Sequence, residues 1–357
     1  HSATPQPAQP LLAPVARLSP GVYFFVVARH CLTLTQHTDC LSHRIERIRP
    51  APMSTQNLDT ASLSNYLAAN LDGFEGNLVA DKFPGGQSNP TFKLTSGERS
   101  YVLRRKPPGE LLASAHAVDR EFRVISALQD TDVPVPKTYL LCEDDDVIGS
   151  MFYIMECLEG RVFWDPRIPE INDNSERVAI YDDMNRVLAA LHGVNVDEVG
   201  LRDYGKPGNY FERQINRWTK QYRASETELN ESMETLISWL PANMPKDDGI
   251  VSLVHGDYRL DNLMFHPTEP SIIAVLDWEL STLGHPLADL AYQVMAWQLP
   301  GGSEGLRGLM GVDREQLAIP SDSAYVARYC ERTGRERIDN WDFYLVFCFF
   351  RLAAILQ

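Results

Sequence analysis

Apolar and polar positions alternate in short bursts along residues 78–103. Leu78, Val79 and Ala80 precede a turn at Gly85-Gly86, and Thr91-Phe92-Lys93-Leu94 precedes a polar turn at Ser96-Gly97-Glu98. Tyr101-Val102-Leu103-Arg104 follows. This spacing predicts β-strands joined in a hairpin with a glycine-bearing loop. Over residues 116–129 the period changes: Val118, Phe122, Ile125 and Leu128 recur at helical spacing, with Glu121 on the margin of the buried stripe. After Pro134-Val135-Pro136, residues 139–142 and 151–155 read as two further strands that lead into Glu156-Cys157-Leu158-Glu159-Gly160. Beyond Gly160 helices dominate. Val178, Tyr181, Met184, Val187, Leu188 and Leu191 mark one long amphipathic helix, residues 210–226 another, and residues 341–357 form an almost continuous apolar helical run. The pattern predicts an α+β chain of two lobes: a small antiparallel sheet with one helix over residues 53–157, and a larger, mainly helical part over 158–357. The hinge falls near residues 156–160. There is no internal repeat.

Composition narrows the function. With 357 residues and 44% hydrophobic content the chain has ample material for a buried core. A formal net charge of −15 argues against nucleic-acid and anionic-membrane partners, because its long-range field repels phosphate. Any nucleotide site must therefore be locally cationic. The six cysteines are scattered without a Cys-x-x-Cys pair, and thiols in a reducing cytoplasm are the expectation. Residues 1–52 are unlike the rest: Pro- and Ala-rich, then a short apolar patch, then Arg- and His-bearing. Met53-Ser54-Thr55 resembles a natural start, so residues 1–52 are expected to lie outside the folded unit. Nothing in the pattern specifies an oligomeric state.

The densest chemistry lies at His255-Gly256-Asp257-Tyr258-Arg259-Leu260-Asp261-Asn262, followed by the apolar stretch 272–276 and Asp277-Trp278-Glu279. Phosphoryl transfer needs a carboxylate to hold the attacking hydroxyl, and oxygen ligands for a metal that neutralises charge on the transferred group. Asp257 is suited to the first task, and Asn262 and Asp277 to the second. Asn262 follows Asp257 by five positions, so one loop presents both, and the next strand carries Asp277 back to the same point. Glu279 touches a metal or only its water shell. Arg259 either steadies the transferring phosphoryl or braces Asp257.

His255-x-Asp257-x-x-x-x-Asn262 followed by Asp277-x-Glu279 resembles the aminoglycoside phosphotransferase and choline kinase family, which is protein-kinase-like in fold. Gly85-Gly86-Gln87-Ser88-Asn89-Pro90, the segment 101–107 and the segment 210–218 are similar to kinase domains associated with acyl-CoA dehydrogenases. The resemblance implies ATP and magnesium as cofactors and transfer of the γ-phosphoryl group to a hydroxyl of a small molecule. It implies phosphate contacts from Gly85, Gly86, Ser88 and Asn89, and nucleotide contacts from the hinge at Glu156 and Leu158. Arg104 stands where the family places a phosphate-binding lysine, with Lys106 as the fallback, and Glu121 stands where a helix glutamate pairs with it. His255 becomes a scaffold group hydrogen-bonded to backbone, and Asp289 a brace for the catalytic loop. For the acceptor, the dehydrogenase-associated branch implies a hydroxyacyl-CoA or related metabolite, whereas an acidic lobe suits an aminoglycoside or choline. A nucleotide-binding pseudokinase is a further alternative, with the Arg104 replacement as its best argument. A protein kinase is disfavoured because Asp-Phe-Gly and Ala-Pro-Glu are missing.

Overall fold

The computed structural model describes residues 58–83, 89–107, 117–301 and 307–357. Residues 1–52, Gly85, Gly86 and Ser88 lie outside these, as do Cys31 and Cys40.

The first half is built on a five-stranded antiparallel sheet of order β1-β2-β3-β5-β4. Its strands are β1 (Val79–Lys82), β2 (Thr91–Ser96), β3 (Arg99–Arg105), β4 (Thr138–Cys142) and β5 (Phe152–Glu156). Register pairs Thr91 with Arg104 and Arg104 with Tyr153, so the centre of the sheet presents Arg104 on one face and Arg105 on the other. The expected helix is α2 (Val118–Leu128), whose buried side carries Val118, Glu121, Val124, Ile125 and Leu128. A further helix, α1 (Thr60–Asn70), precedes the sheet and buries only Leu63 and Leu67 against it, together with Phe92, Leu94 and Phe152. Asp59 caps it by accepting from the backbone N–H groups of Ala61 and Ser62.

After β5 the chain passes Gly160, where a Cβ would meet the Phe265 carbonyl at 2.5 Å, so only glycine allows this close approach. Helices then follow: α3 (Asn174–Gly193), α4 (Tyr210–Ser225), α5 (Glu231–Ala242), α6 (Leu287–Trp297), α7 (Asp322–Thr333) and α8 (Trp341–Leu356). Two short antiparallel pairs lie among them, β6 (Ser252–Val254) with β9 (Thr282–Gly284), and β7 (Leu263–Phe265) with β8 (Ile272–Val275). The main core, which includes Tyr181, Leu188, Tyr258, Trp278, Leu290 and Phe350, packs around these pairs. No helix among the described residues is long and apolar enough to cross a membrane.

The halves are tied together beside the future site. Arg120 of α2 stacks on the Tyr204 ring at 4.1 Å and donates to the Tyr204 carbonyl at 2.8 Å. The Tyr204 hydroxyl and the Ser281 hydroxyl are hydrogen-bonded at 2.7 Å, and the Val275 N–H donates to the Pro134 carbonyl at 2.8 Å. Arg123 pairs with Asp203. These contacts use up the two arginines that flank Glu121 in sequence.

Candidate active site

The loop that carries His255, Asp257 and Asn262 runs from β6 to β7 and is held from behind. His255 is fully buried, and its Nε2 shares a hydrogen bond of 2.8 Å with the Leu276 carbonyl. Asp289 of α6 accepts from the backbone N–H groups of His255 at 2.6 Å and Gly256 at 2.9 Å. Hydrogen bonds from His192 and from this backbone keep the Asp289 carboxyl below its ordinary range, although burial opposes them. Gly256 has φ +83°, and a Cβ there would meet the Leu280 carbonyl at 2.6 Å. Arg351 of α8, buried under α4, donates to the Gly256 carbonyl at 2.7 Å. Its guanidinium lies over the rings of Tyr292 and Trp218.

This scaffold projects Asp257 outward, half-buried, with Asn262 turned back onto it. The Asn262 Nδ2 donates to the Asp257 carbonyl at 2.8 Å and to its carboxylate at 2.9 Å, which leaves the Asn262 Oδ1 as an oxygen donor for a cation. A short 3-10 turn over Leu260–Asn262 brings the two together, and the Leu276 N–H donates to the Asn262 carbonyl at 2.8 Å. That last bond ties the loop to the segment carrying Asp277. Arg259 sits between two carboxylates, 3.4 Å from Asp257 and 2.9 Å from Asp261. Burial raises the Asp261 carboxyl, and Arg259 offsets part of that. Burial also pushes up the Tyr292 phenol of α6, which lies against the Asp257 carboxylate.

Asp277 adopts a left-handed conformation (φ 63°, ψ 63°), uncommon outside glycine and tolerated best by Asp and Asn. The turn aims its carboxylate at the sheet, where Arg104 meets it at 2.6 Å, and the same guanidinium lies 3.6 Å from the Glu279 carboxylate. Arg104 also reaches the buried Glu121 of α2, whose Oε2 is 2.8 Å from its Nε. The Nε hydrogen is not aimed at that oxygen, so the contact is an ion pair rather than a hydrogen bond. Glu121 accepts hydrogen bonds from Asn89 at 2.7 Å and Tyr153 at 3.1 Å. Burial pushes its carboxyl up to about 7; Arg104 pulls it down, while Asp277 and Glu279 push it up again. Three carboxylates thus share one arginine, whose own proton is held more tightly than usual.

The structure therefore brings Asp257, Arg259, Asn262, Asp277, Glu279, Arg104 and Glu121 into one cluster. Asn89, anticipated as part of a phosphate loop, is buried and directs its amide to Glu121, so its side chain braces the ion pair. Glu156 closes β5 and accepts from the Lys137 N–H at 3.2 Å, with Leu158 half-buried two residues on. Lys106 lies just past the end of β3, and its N–H donates to the Met151 carbonyl at 2.9 Å. Sequence reasoning missed Tyr292, and Arg351 lies within the apolar helical run of residues 341–357. It is buried in that helix and supports the loop. No cluster of three or more His, Cys, Asp or Glu side chains with metal-holding geometry occurs among the described residues. The donors at hand are the Asn262 amide and the carboxylates of Asp277 and Glu279. Such a set suits a hard cation that completes its shell with phosphate oxygens and water.

The model of the phosphotransferase enzyme family (APH) matches residues 80–339. Acyl-CoA dehydrogenase family member 10 of Mus musculus is 50% identical over 276 residues, which is 77% of this chain and 26% of that protein. Acyl-CoA dehydrogenase family member 11 of Homo sapiens is 44% identical over 304 residues, covering 84% of this chain and 39% of that protein. The chain therefore spans between about a quarter and two fifths of the length of these relatives. A crystal structure from Ralstonia eutropha, provisionally named an aminoglycoside phosphotransferase, is 52% identical with a TM-score of 0.77, covering 84% of this chain and 87% of that one. The chain belongs to the phosphotransferase enzyme family and has its protein-kinase-like fold.

Proposed function

We propose that the chain transfers the γ-phosphoryl group of ATP, with magnesium, to a hydroxyl of a small molecule. The observation that carries this reading is the meeting of Asp257 and Asn262 from one loop with Asp277 from the next, opposite Arg104 on the sheet. Asp257 holds the acceptor hydroxyl, orients its oxygen toward the γ-phosphorus and receives its proton as the new P–O bond forms and the bond to the ADP oxygen breaks. Asn262, Asp277 and Glu279 would hold magnesium, which would neutralise charge on the phosphates. Arg104 binds phosphate through a planar fork, an adequate replacement for lysine because it keeps the charge. Glu121 and Asn89 fix its direction. Arg259, within ion-pair distance of Asp257, steadies the charge on the transferring group. The backbone of residues 85–88 and the hinge at Glu156 and Leu158 complete the nucleotide site in this reading.

A hydroxyacyl-CoA or related metabolite is the acceptor favoured here, because the curated relatives named above take their names from acyl-CoA chemistry. The test is ADP release from magnesium ATP across hydroxyacyl-CoA esters, aminoglycosides, choline analogues and sugars. Acceptor-dependent turnover with at least one acyl ester, lost by about a thousandfold or more in Asp257→Ala, is expected. Turnover with aminoglycosides alone would move the acceptor class. Nucleotide binding without turnover across the panel would make the chain a binding module.

A further inference from the structure

Arg351 of α8 is only 7% exposed, yet its guanidinium forms no ion pair with a carboxylate among the described residues. One terminal nitrogen donates to the Gly256 carbonyl at 2.7 Å, and the Nε has no hydrogen-bond partner. The guanidinium carbon lies 5.7 Å from the centre of the Trp218 ring of α4 and 5.0 Å from that of the Tyr292 ring of α6, so two rings hold the side chain in place. Burying a cation without a counter-ion is costly, and an apolar side chain of similar length would fill the same space without that cost. The charge is therefore to be explained by the carbonyl it meets.

We propose that Arg351 is a positioning residue for the transfer: it heads a chain of hydrogen bonds that sets the peptide in front of Asp257 and, through His255, the peptide in front of Asp277. The inference rests on the phosphotransfer reading above and adds to it a residue that touches neither substrate. The Gly256 carbonyl and the Asp257 N–H belong to one peptide unit, and that N–H donates to the His255 Nδ1 at 3.2 Å. A backbone N–H can only donate, so Nδ1 accepts and carries no proton. The ring proton then sits on Nε2, which donates to the Leu276 carbonyl at 2.8 Å. That carbonyl lies in the peptide that leads into Asp277. Every donor in the chain points away from the guanidinium, and a carbonyl that accepts from a cation makes the N–H of its own peptide a stronger donor. Asp289 does not duplicate this. It holds the N–H groups of His255 and Gly256, which belong to the two preceding peptides, and leaves the Gly256–Asp257 peptide to Arg351.

The test compares Arg351→Met, Arg351→Lys and Trp218→Leu with wild type in the full chain. Amide hydrogen exchange reads the chain of bonds itself: in Arg351→Met the Asp257 amide should exchange about tenfold or more faster, while the buried amides of α6 keep their protection. ADP release from magnesium ATP, with hydroxyhexanoyl-CoA as acceptor, reads the consequence. Arg351→Met should lower kcat about tenfold or more and leave the KM for magnesium ATP within about twofold. Arg351→Lys keeps the charge and a donor, so it should recover most of both losses. Trp218→Leu removes a ring and spares the hydrogen bond, so its kcat should stay near wild type even where its melting temperature falls. If Arg351→Met does not fold, Arg351→Gln, which drops the charge, takes its place. The proposal is overturned if the Asp257 amide exchanges as in wild type, if all buried amides speed up alike, if kcat is unchanged, if Arg351→Lys is as impaired as Arg351→Met, or if Trp218→Leu loses as much kcat. Failure of the phosphotransfer reading gives a different pattern: no ADP from wild type, with protection of the Asp257 amide still dependent on Arg351.

Discussion

Arg104 is the residue on which the two halves of the site converge. Its guanidinium meets Glu121 on one side and Asp277 and Glu279 on the other, so the cation is over-supplied with partners and each carboxylate is under-supplied. Glu121 bears most of the cost, since it alone is buried. In the unfolded chain its proton leaves near 4.5, and in the fold it is retained to about 7. A carboxyl raised in this way contributes stability that is complete below 4.5 and is lost as pH rises through 7. The loss should be on the order of 3 kcal/mol, discounted by whatever relaxation the ion pair allows. Urea unfolding at about pH 5 and about pH 8 measures it, and Glu121→Gln should flatten the difference. An unchanged pH slope in that variant would mean that another group carries it. The same reasoning explains why an arginine serves where the family resemblance implied lysine. A guanidinium offers donors in several directions and stays charged among competing carboxylates.

Among the elements, the loop between β6 and β7 and helix α6 form one device. Asp289 satisfies two backbone N–H groups of the loop, Arg351 satisfies a carbonyl, and Gly256 supplies the left-handed turn between them. Gly256→Ala should therefore destabilise the fold by about 2 kcal/mol or more, because the new Cβ meets a backbone carbonyl that cannot move aside. A chemical denaturation midpoint close to wild type would show that the loop adjusts freely. Much of this region was legible beforehand. The spacing of Asp257, Asn262 and Asp277 encodes a loop and a returning strand, and the five strands of the sheet stand out through alternation and turn residues. Other parts were hidden for physical reasons. Helix α1 buries only two leucines, so its stripe is too thin to register as a period. Tyr292 sits in an apolar run that reads as plain core, and only the folded geometry shows that its phenol lies against the Asp257 carboxylate. Asn89 was anticipated in a phosphate loop because it closes the segment Gly85-Gly86-Gln87-Ser88-Asn89, yet its amide turns inward to a carboxylate 32 residues away.

Across the whole molecule, the net charge of −15 and the placement of arginines work in opposite directions. The bulk field repels anions, so the proposed nucleotide would have to be held by local cations in a partly buried cleft where attraction is less screened. Arg104 and Arg259 supply that charge, one from each half. The contacts of Arg120 with Tyr204 and Ser281 keep the halves in register, which fixes the distance between sheet and loop. The central claim is that Asp257, Asn262 and Asp277 surround a metal-bound triphosphate. A crystal structure with magnesium and AMP-PNP tests this most directly. The account predicts a cation about 2.1 Å from the Asn262 Oδ1 and from an Asp277 carboxylate oxygen, with the γ-phosphate facing Asp257 and phosphate oxygens on Arg104. A nucleotide bound elsewhere, or bound in this cleft with its metal on neither Asn262 nor Asp277, would contradict it.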